Sequence, residues 1–238
     1  MTGSAVTSDD PVEPQSAKRP SVIVFDVNET LSDMAPMAQR FVDVGAPGHL
    51  AKTWFAGVLR DGFALAAADA AATFAEIGAG LLRVTLAEQP LNRDLPQAVD
   101  HIMGGFTGLD VHPDVADGVA ALSERSIRLV TLSNGSTSVA ADLLERAGIR
   151  EQFERLLSVE DAGRWKPAAV SYAYALAECG VDPSEAMLVA VHPWDIDGAD
   201  RAGLATAWLN RLGGSYPDYF RAADLEATSL THLAQLLS

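Results

Sequence analysis

Four short apolar runs, each stopping at a polar residue, limit the fold of this chain more than any other feature. They are Ser21–Asp26 (SVIVFD), Ile127–Leu132 (IRLVTL), Ala186–Val191 (AMLVAV) and Leu204–Leu209 (LATAWL), with a weaker run at Leu156–Val159. None alternates strictly between apolar and polar residues, so none is suited to face water on one side. Continuous runs of this length mark strands buried on both faces, as in a parallel sheet. Helical segments separate them at Thr137–Ala147, Ala168–Cys179 and Asp195–Ala202, and Gly148 and Gly180 stand where helix C-caps belong. Strand and helix in alternation mean βαβ units, and so an α/β fold with a Rossmann-like, doubly wound parallel sheet.

In such sheets the functional residues gather at the carboxyl ends of the strands. That rule singles out Asp26, the pair Ser133 and Asn134, the surroundings of Lys166, and the segment His192 to Asp195. Residues 34–108 break the rhythm between the first and second strands: they show helical periodicity and no convincing strand. We expect an inserted all-helical cap there, closing over the strand ends and excluding water. Residues 21–33 and 109–238 then form the core. The most apolar stretch, Phe63–Leu82, contains Asp69 and Glu76 and reads as Ala-rich helix packed on helix. A membrane span needs about 20 apolar residues without such charges. Residues 1–20 are rich in Ser, Thr, Pro and Asp without an apolar segment, and are expected to be a disordered leader rather than a secretory signal.

Composition bears on partners. With 48% hydrophobic residues in 238, the chain has enough apolar side chains for a real core. Its 32 Asp and Glu against 17 Lys and Arg give a net charge of −15. That balance argues against nucleic acid, whose phosphates demand clustered cations, and no segment suits a membrane. A lone Cys179 cannot form an internal disulfide, which points to a reducing cytoplasm. A small anionic substrate would have to enter against the overall field.

The residues at the strand ends have both ordinary and chemical readings. Asp26, in FDVNETLSD, is either a carboxylate capping the next turn or a nucleophile that forms an ester later hydrolysed by water. Ser133-Asn134-Gly135-Ser136 is ordinary turn chemistry or an anion cradle at a helix start. Lys166 precedes Pro167, which we expect at the first helical position; facing Asp26, the ammonium would hold the carboxylate ionised. Asp195 reads equally as a helix N-cap or a site acid. His192 reads equally as a loop residue or a general base, since imidazole titrates near neutral pH.

In this order, each after its own strand, these segments resemble the four motifs of the haloacid dehalogenase superfamily, most closely the type II L-2-haloacid dehalogenases. The resemblance rests on FDVNETLSD, LVTLSNGS, Lys166-Pro167 with Tyr172 six residues after that Lys, WDIDGA, and the continuation WLNRLG. It implies hydrolytic dehalogenation of small 2-haloalkanoic acids through an aspartyl ester on Asp26, giving a 2-hydroxy acid. It further implies that Ser133 and backbone N–H groups after Asp26 hold the substrate carboxylate, and that Asn134 helps to bind halide. Thr30, Lys166, Tyr172 and Asp195 would position the nucleophile and support ester hydrolysis, and Trp194 would line an apolar pocket. Homodimers are a further implication.

The chain departs from the family pattern at particular positions. Asn28 and Glu29 stand where the first motif has Tyr and Gly, His192 where Asn is common, and Ala190 where a Ser lies nearby. The family places a cap Arg ten residues before the position of Arg60; here that position is Leu50, preceded by His49, so Arg40 or Arg60 is the nearest replacement. Most of the superfamily are Mg-dependent phosphatases with a second Asp that protonates the leaving alkoxide. Asn28 cannot supply that proton, whereas a halide leaves without one. Phosphatases hold magnesium with further carboxylates after the fourth strand, where this chain has only Asp195 and Asp197 nearby, so we expect no metal and no cofactor. The competing readings are a phosphatase of the same superfamily and a non-catalytic binding protein on this scaffold.

Overall fold

The computed structural model describes residues 19–238, so the expected leader lies almost wholly outside the described residues. The first strand, β1 (Val22–Phe25), is followed by four helices: α1 (Met37–Asp43), α2 (Leu50–Ala67), α3 (Phe74–Leu86) and α4 (Leu95–Thr107). Then come α5 (Val115–Ser123), β2 (Arg128–Ser133), α6 (Thr137–Arg146), β3 (Arg155–Ser158), the single turn α7 (Val159–Ala162) and α8 (Ala169–Cys179). The chain ends with β4 (Ala186–Ala190), α9 (Pro193–Arg201), β5 (Ala205–Leu209), β6 (Leu225–Ala227) and α10 (Leu230–Leu236).

The six strands form one sheet in the order β3-β2-β1-β4-β5-β6, and every neighbouring pair is parallel. The chain lays β2 and β3 on one side of β1, then crosses back to lay β4, β5 and β6 on the other. The connections therefore diverge at β1 and open a crevice beyond its carboxyl end, where Asp26 stands. Successive residues of β1 explain why its run is uninterrupted. Val22 and Val24 join the apolar layer that includes α8 and α9, while Ile23 and Phe25 join the layer that includes α5, α6 and α10. Both faces are dry, so no position tolerates a polar side chain.

Helices α1 to α4 pack around Trp54. Its ring meets Phe41 at 6.1 Å and Phe106 at 5.9 Å, and its Nε1 donates to the Gly78 carbonyl at 3.0 Å. The stretch Phe63–Leu82 spans the end of α2 and the start of α3, and the break between them has a local cause. Asp69 adopts φ +59°, which stops α2, and Thr73 with Glu76 forms a capping box that starts α3. This helical layer meets the core through Trp165, whose Nε1 donates to the Ala72 carbonyl at 3.1 Å, and through Arg164, which pairs with Asp69. A Cβ on Gly62 of α2 would stand 2.3 Å from the Trp165 ring, so the helix approaches only because that residue has none.

The expected strands recur within a residue or two, and Gly148 and Gly180 follow α6 and α8 at φ +70° and +64°. Strand β6 and helices α5 and α10 have no counterpart among the sequence expectations; β6 has three residues, too short for periodicity. No described helix is long and apolar enough to cross a membrane.

The Gly62 contact is testable by denaturant unfolding. Gly62→Ala should cost about 1–3 kcal/mol through overpacking against a rigid ring. Gly80→Ala on α3, where a Cβ meets nothing within 4 Å, should be neutral or gain up to about 1 kcal/mol of helix propensity.

Candidate active site

Asp26 leaves β1 into a loop that doubles back at Glu29, held at φ +63°. Two neighbours grip this loop by its carbonyls. His112 Nε2 lies 2.9 Å from the Glu29 carbonyl oxygen, and Arg211 Nη2 donates to that of Thr30 at 3.0 Å. Arg211 is held in turn by Asp114 at 2.6 Å. The Thr30 hydroxyl then faces inward. It donates to Asp26 Oδ2 at 2.7 Å and accepts the Val191 N–H at 3.1 Å, tying the loop after β1 to the end of β4.

Lys166 enters from the connection between β3 and α8. Its ammonium is fully buried and bridges two carboxylates, Asp26 Oδ1 at 3.0 Å and Asp195 Oδ2 at 2.6 Å. Pro167 is not the first helical residue, contrary to expectation. It belongs to a turn closed by the Ala168 N–H on the Trp165 carbonyl at 3.0 Å, and α8 begins at Ala169. That turn aims Lys166 back toward β1. Asn134 fixes it there: its Oδ1 accepts the Lys166 N–H at 2.9 Å, and its Nδ2 donates to the Lys166 carbonyl at 3.4 Å.

Asp195 is not a helix N-cap. It is the third residue of α9, fully buried, and it accepts the Tyr172 hydroxyl at 2.6 Å besides the ammonium. Gly198 permits this packing, since a Cβ there would lie 2.6 Å from the Tyr172 hydroxyl and from Pro167. His192 takes the N-cap position of α9. Its Nδ1 lies 3.1 Å from Asp26 Oδ2 and its Nε2 lies 2.9 Å from Glu29 Oε2. Trp194 stacks on the His192 ring at 5.1 Å, and Phe55 of α2 stacks on that imidazole at 6.3 Å.

The structure thus joins Asp26, Thr30, Lys166, Tyr172, His192 and Asp195 in one network. Trp194 covers it, with its ring centre 6.0 Å from the ammonium. Ser133 is buried at the end of β2 and accepts the Gly135 N–H at 2.9 Å. Asn28 lies beside it, and both line a hollow of about 50 Å³ beneath α3 and α4. No hydrogen bond or ion pair joins Arg40, His49 or Arg60 to the network among the described residues. Arg60 is 69% exposed and pairs with its neighbour Asp61, and Arg40 lays its stem along Gly105. The second cation at the site is His192, from the core.

Glu29 and Phe55 were missed in the sequence. A signal for Glu29 existed: it fills a position the family gives to Gly, and a non-glycine held at positive φ is commonly functional. No three His, Cys, Asp or Glu side chains among the described residues form a metal-holding group. Asp26 and Asp195 both pair with the Lys166 ammonium, and the nearby Glu29 pairs with His192, so the carboxylates gathered here already face protein cations.

The charges lock one another. Burial opposes ionisation of Asp26, but the Lys166 charge and the hydrogen bonds from His192 and Thr30 outweigh it and hold the carboxyl well below the usual range. Burial pushes Asp195 up, against the pull of Lys166. For His192 burial lowers basicity, yet the hydrogen bonds and charges of Asp26 and Glu29 prevail and raise it to about 9 from 6.5. The imidazolium therefore stabilises the fold fully below about pH 6.5, and that contribution disappears as pH rises through 9. Measured from pH 6.5 to above 9, the unfolding free energy should fall by about 3 kcal/mol more in wild type than in His192→Asn.

Comparison with known proteins agrees with this geometry. The family model described as haloacid dehalogenase-like hydrolase matches residues 20–203. The chain is 28% identical to the (S)-2-haloacid dehalogenase of Pseudomonas sp. (strain YL) over 217 residues, 90% of this chain and 93% of that protein. It is also 28% identical over 165 residues to haloacetate dehalogenase H-2 of Moraxella sp. (strain B), covering 69% of this chain and 73% of the relative. A crystal structure of a dehalogenase with an intermediate complex superposes with a TM-score of 0.85 at 26% identity, over 92% of this chain and 97% of that one. The parallel sheet, the network at its strand ends and these matches agree: the chain belongs to the haloacid dehalogenase-like hydrolase family.

Proposed function

We propose that this hydrolase cleaves the carbon–halogen bond of small 2-haloalkanoic acids, with Asp26 as nucleophile and α1 to α4 as the cap that keeps the site dry. The observation that carries the reading is the setting of Asp26. Three donors, Thr30, Lys166 and His192, keep this carboxylate ionised in a buried pocket, and no second acid stands at position 28 to protonate an alkoxide. A halide is the leaving group such a site serves. The names of the relatives, (S)-2-haloacid and haloacetate dehalogenases, support the same substrate class.

Asp26 Oδ1, which has one protein partner against two on Oδ2, attacks the α-carbon from the side opposite the halogen. The C–O bond forms as the C–halogen bond breaks, its electron pair leaves with the halide, and an aspartyl ester remains. The Ser133 hydroxyl and backbone N–H groups after Asp26 hold the substrate carboxylate, while Asn134 borders the halide and steadies Lys166. Alkylation removes the negative charge from Asp26, and His192 then holds its Nδ1 proton less tightly. Glu29 keeps the other proton on Nε2, so the free Nδ1 faces the ester and accepts a proton from water. Hydroxide adds to the Asp26 carboxyl carbon, the 2-hydroxy acid leaves as its oxygen takes the proton back from His192, and the carboxylic proton left on Asp26 passes to His192 Nδ1, replacing the one released to solvent after alkylation, so that Asp26 is again a carboxylate. The balance is haloacid plus water to hydroxy acid, halide and a proton. The lone Cys179, buried in the core, fits a reducing cytoplasm.

Halide release from bromoacetate and 2-bromopropionate tests the reading, with Asp26→Asn expected to release none. His192→Asn should give about one equivalent of halide and then slow by about 10²–10⁴-fold in turnover. Mass spectrometry of that variant should show the ester adduct on Asp26. Glu29→Gln should slow turnover less and in the same step. Phosphate release from p-nitrophenyl phosphate that needs Mg²⁺ and Asp26, with no halide from any haloacid, would replace this reading with the phosphatase one.

A further inference from the structure

The segment WLNR at the end of β5 lies behind the reaction centre, and among the described residues no hydrogen bond or ion pair joins its side chains to Asp26, Lys166 or His192. Two of its side chains hold the neighbouring peptides instead. Trp208 Nε1 donates to the Val191 carbonyl at 2.9 Å, and Arg211 Nη2 donates to the Thr30 carbonyl at 3.0 Å. Val191 precedes His192, and Thr30 follows Glu29. The Val191 N–H in turn donates to the Thr30 hydroxyl at 3.1 Å. One short stretch of chain therefore grips the peptide before the imidazole and the peptide after the carboxylate that meets it. The grip is fixed from behind. Trp208 is buried in a strand paired on both sides, by β4 and β6, and Tyr216 packs edge-on against its ring at 5.0 Å. Arg211 Nη1 donates to one Asp114 oxygen at 2.6 Å, and the other accepts the Leu230 N–H at 2.7 Å.

We propose that Trp208 and Arg211 are positioning residues for the hydrolytic half of the reaction, setting the contact between His192 and Glu29. The proposal rests on the dehalogenase reading and deepens it. His192 and Glu29 stand on different loops, and Glu29 keeps φ +63° only where its surroundings over-determine it. Attack by Asp26 needs its own loop and Lys166. Hydrolysis needs the two loops in register as well, because Glu29 must keep the Nε2 proton while Nδ1 faces the ester. A shift of about 1 Å between them costs up to about 10²-fold in rate.

Single-turnover measurements with enzyme in excess over bromoacetate separate the steps: halide release reports alkylation, and decay of the mass adduct on Asp26 reports hydrolysis. Trp208→Phe keeps a ring without the N–H, and Arg211→Lys keeps a cation for Asp114 without the fork. Each should slow hydrolysis about 3–10-fold and alkylation about two-fold or less. Trp208→Phe answers alone should Arg211→Lys fold poorly. In a Glu29→Gln background, where the contact is already weakened, the same substitutions should add less than about two-fold. Unchanged hydrolysis, equal losses in both steps, or losses that multiply with Glu29→Gln overturn the proposal and leave the dehalogenase reading standing. If no haloacid releases halide, that reading fails separately, and NMR of 15N-labelled histidine decides the positioning. The His192 ring faces Asp26 and Glu29, with Lys166 beyond Asp26 and the rings of Phe55 and Trp194 on its faces. Combined, the two substitutions should lower its protonation midpoint from about 9 toward 6.5; a midpoint that stays at the wild-type value overturns the proposal.

Discussion

A fully buried ammonium between two carboxylates organises this protein. Moving an ion such as Lys166 out of water costs several kcal/mol even after relaxation, and only close partners offset it. Asp26 and Asp195 must therefore reach it together, from the ends of different strands. The strand order places β1 next to β4, which brings both acids to one side of the crevice. The second requirement is a backbone that cannot drift. Asn134 clamps the Lys166 peptide, Tyr172 donates to the Asp195 oxygen that Lys166 does not contact, and Gly198 lets α9 settle against Tyr172 and Pro167. Removing one partner strands a buried charge, so the polar groups around the site hold it as a unit.

A second cation sits on the same carboxylate. His192 and Glu29 both depart from the family pattern, and they lie 2.9 Å apart although 163 positions separate them. The two departures are one device. The imidazolium needs an anion on each nitrogen to stay charged under Phe55 and Trp194, and Glu29 supplies the one that Asp26 does not. This also resolves the acidity of the chain. A net charge of −15 is spread over the surface and screened within about 8–10 Å at ordinary salt, whereas Lys166, His192 and the loop N–H groups act at contact distance. An anionic substrate responds to the near field.

Among the described residues, helices α1 to α4 contribute ring surface and no ion pair to the network. Phe55 and Phe63 lie over His192 and Trp194, and Phe74 stacks on Trp165 at 6.0 Å, so Lys166 and His192 both sit behind aromatic side chains. Dry walls of this kind strengthen each charge interaction inside them. The motif pattern leaves open whether Arg40, Arg60 or His49 adds a cation from the helical segment; among the described residues none of the three joins the network, and the imidazole beside Asp26 is that of His192, in the loop after β4.

The sequence by itself determined the sheet and the strand ends, because burial on both faces of a strand is written locally, in uninterrupted runs such as VIVF, and chain polarity puts the next residues at the carboxyl end. Asp26, Ser133 and His192 were legible for that reason, and Lys166, Tyr172 and Asp195 through motif order. Tertiary structure alone decided which of them touch. That Asp195 is a buried ion partner and not a cap, that Pro167 turns the chain and does not start α8, and that Glu29 answers His192 all depend on contacts across more than twenty residues or on the path between elements. Local patterns carry no record of such pairings. They arise only when the strand order and the packing of α8 and α9 bring distant side chains within hydrogen-bond reach.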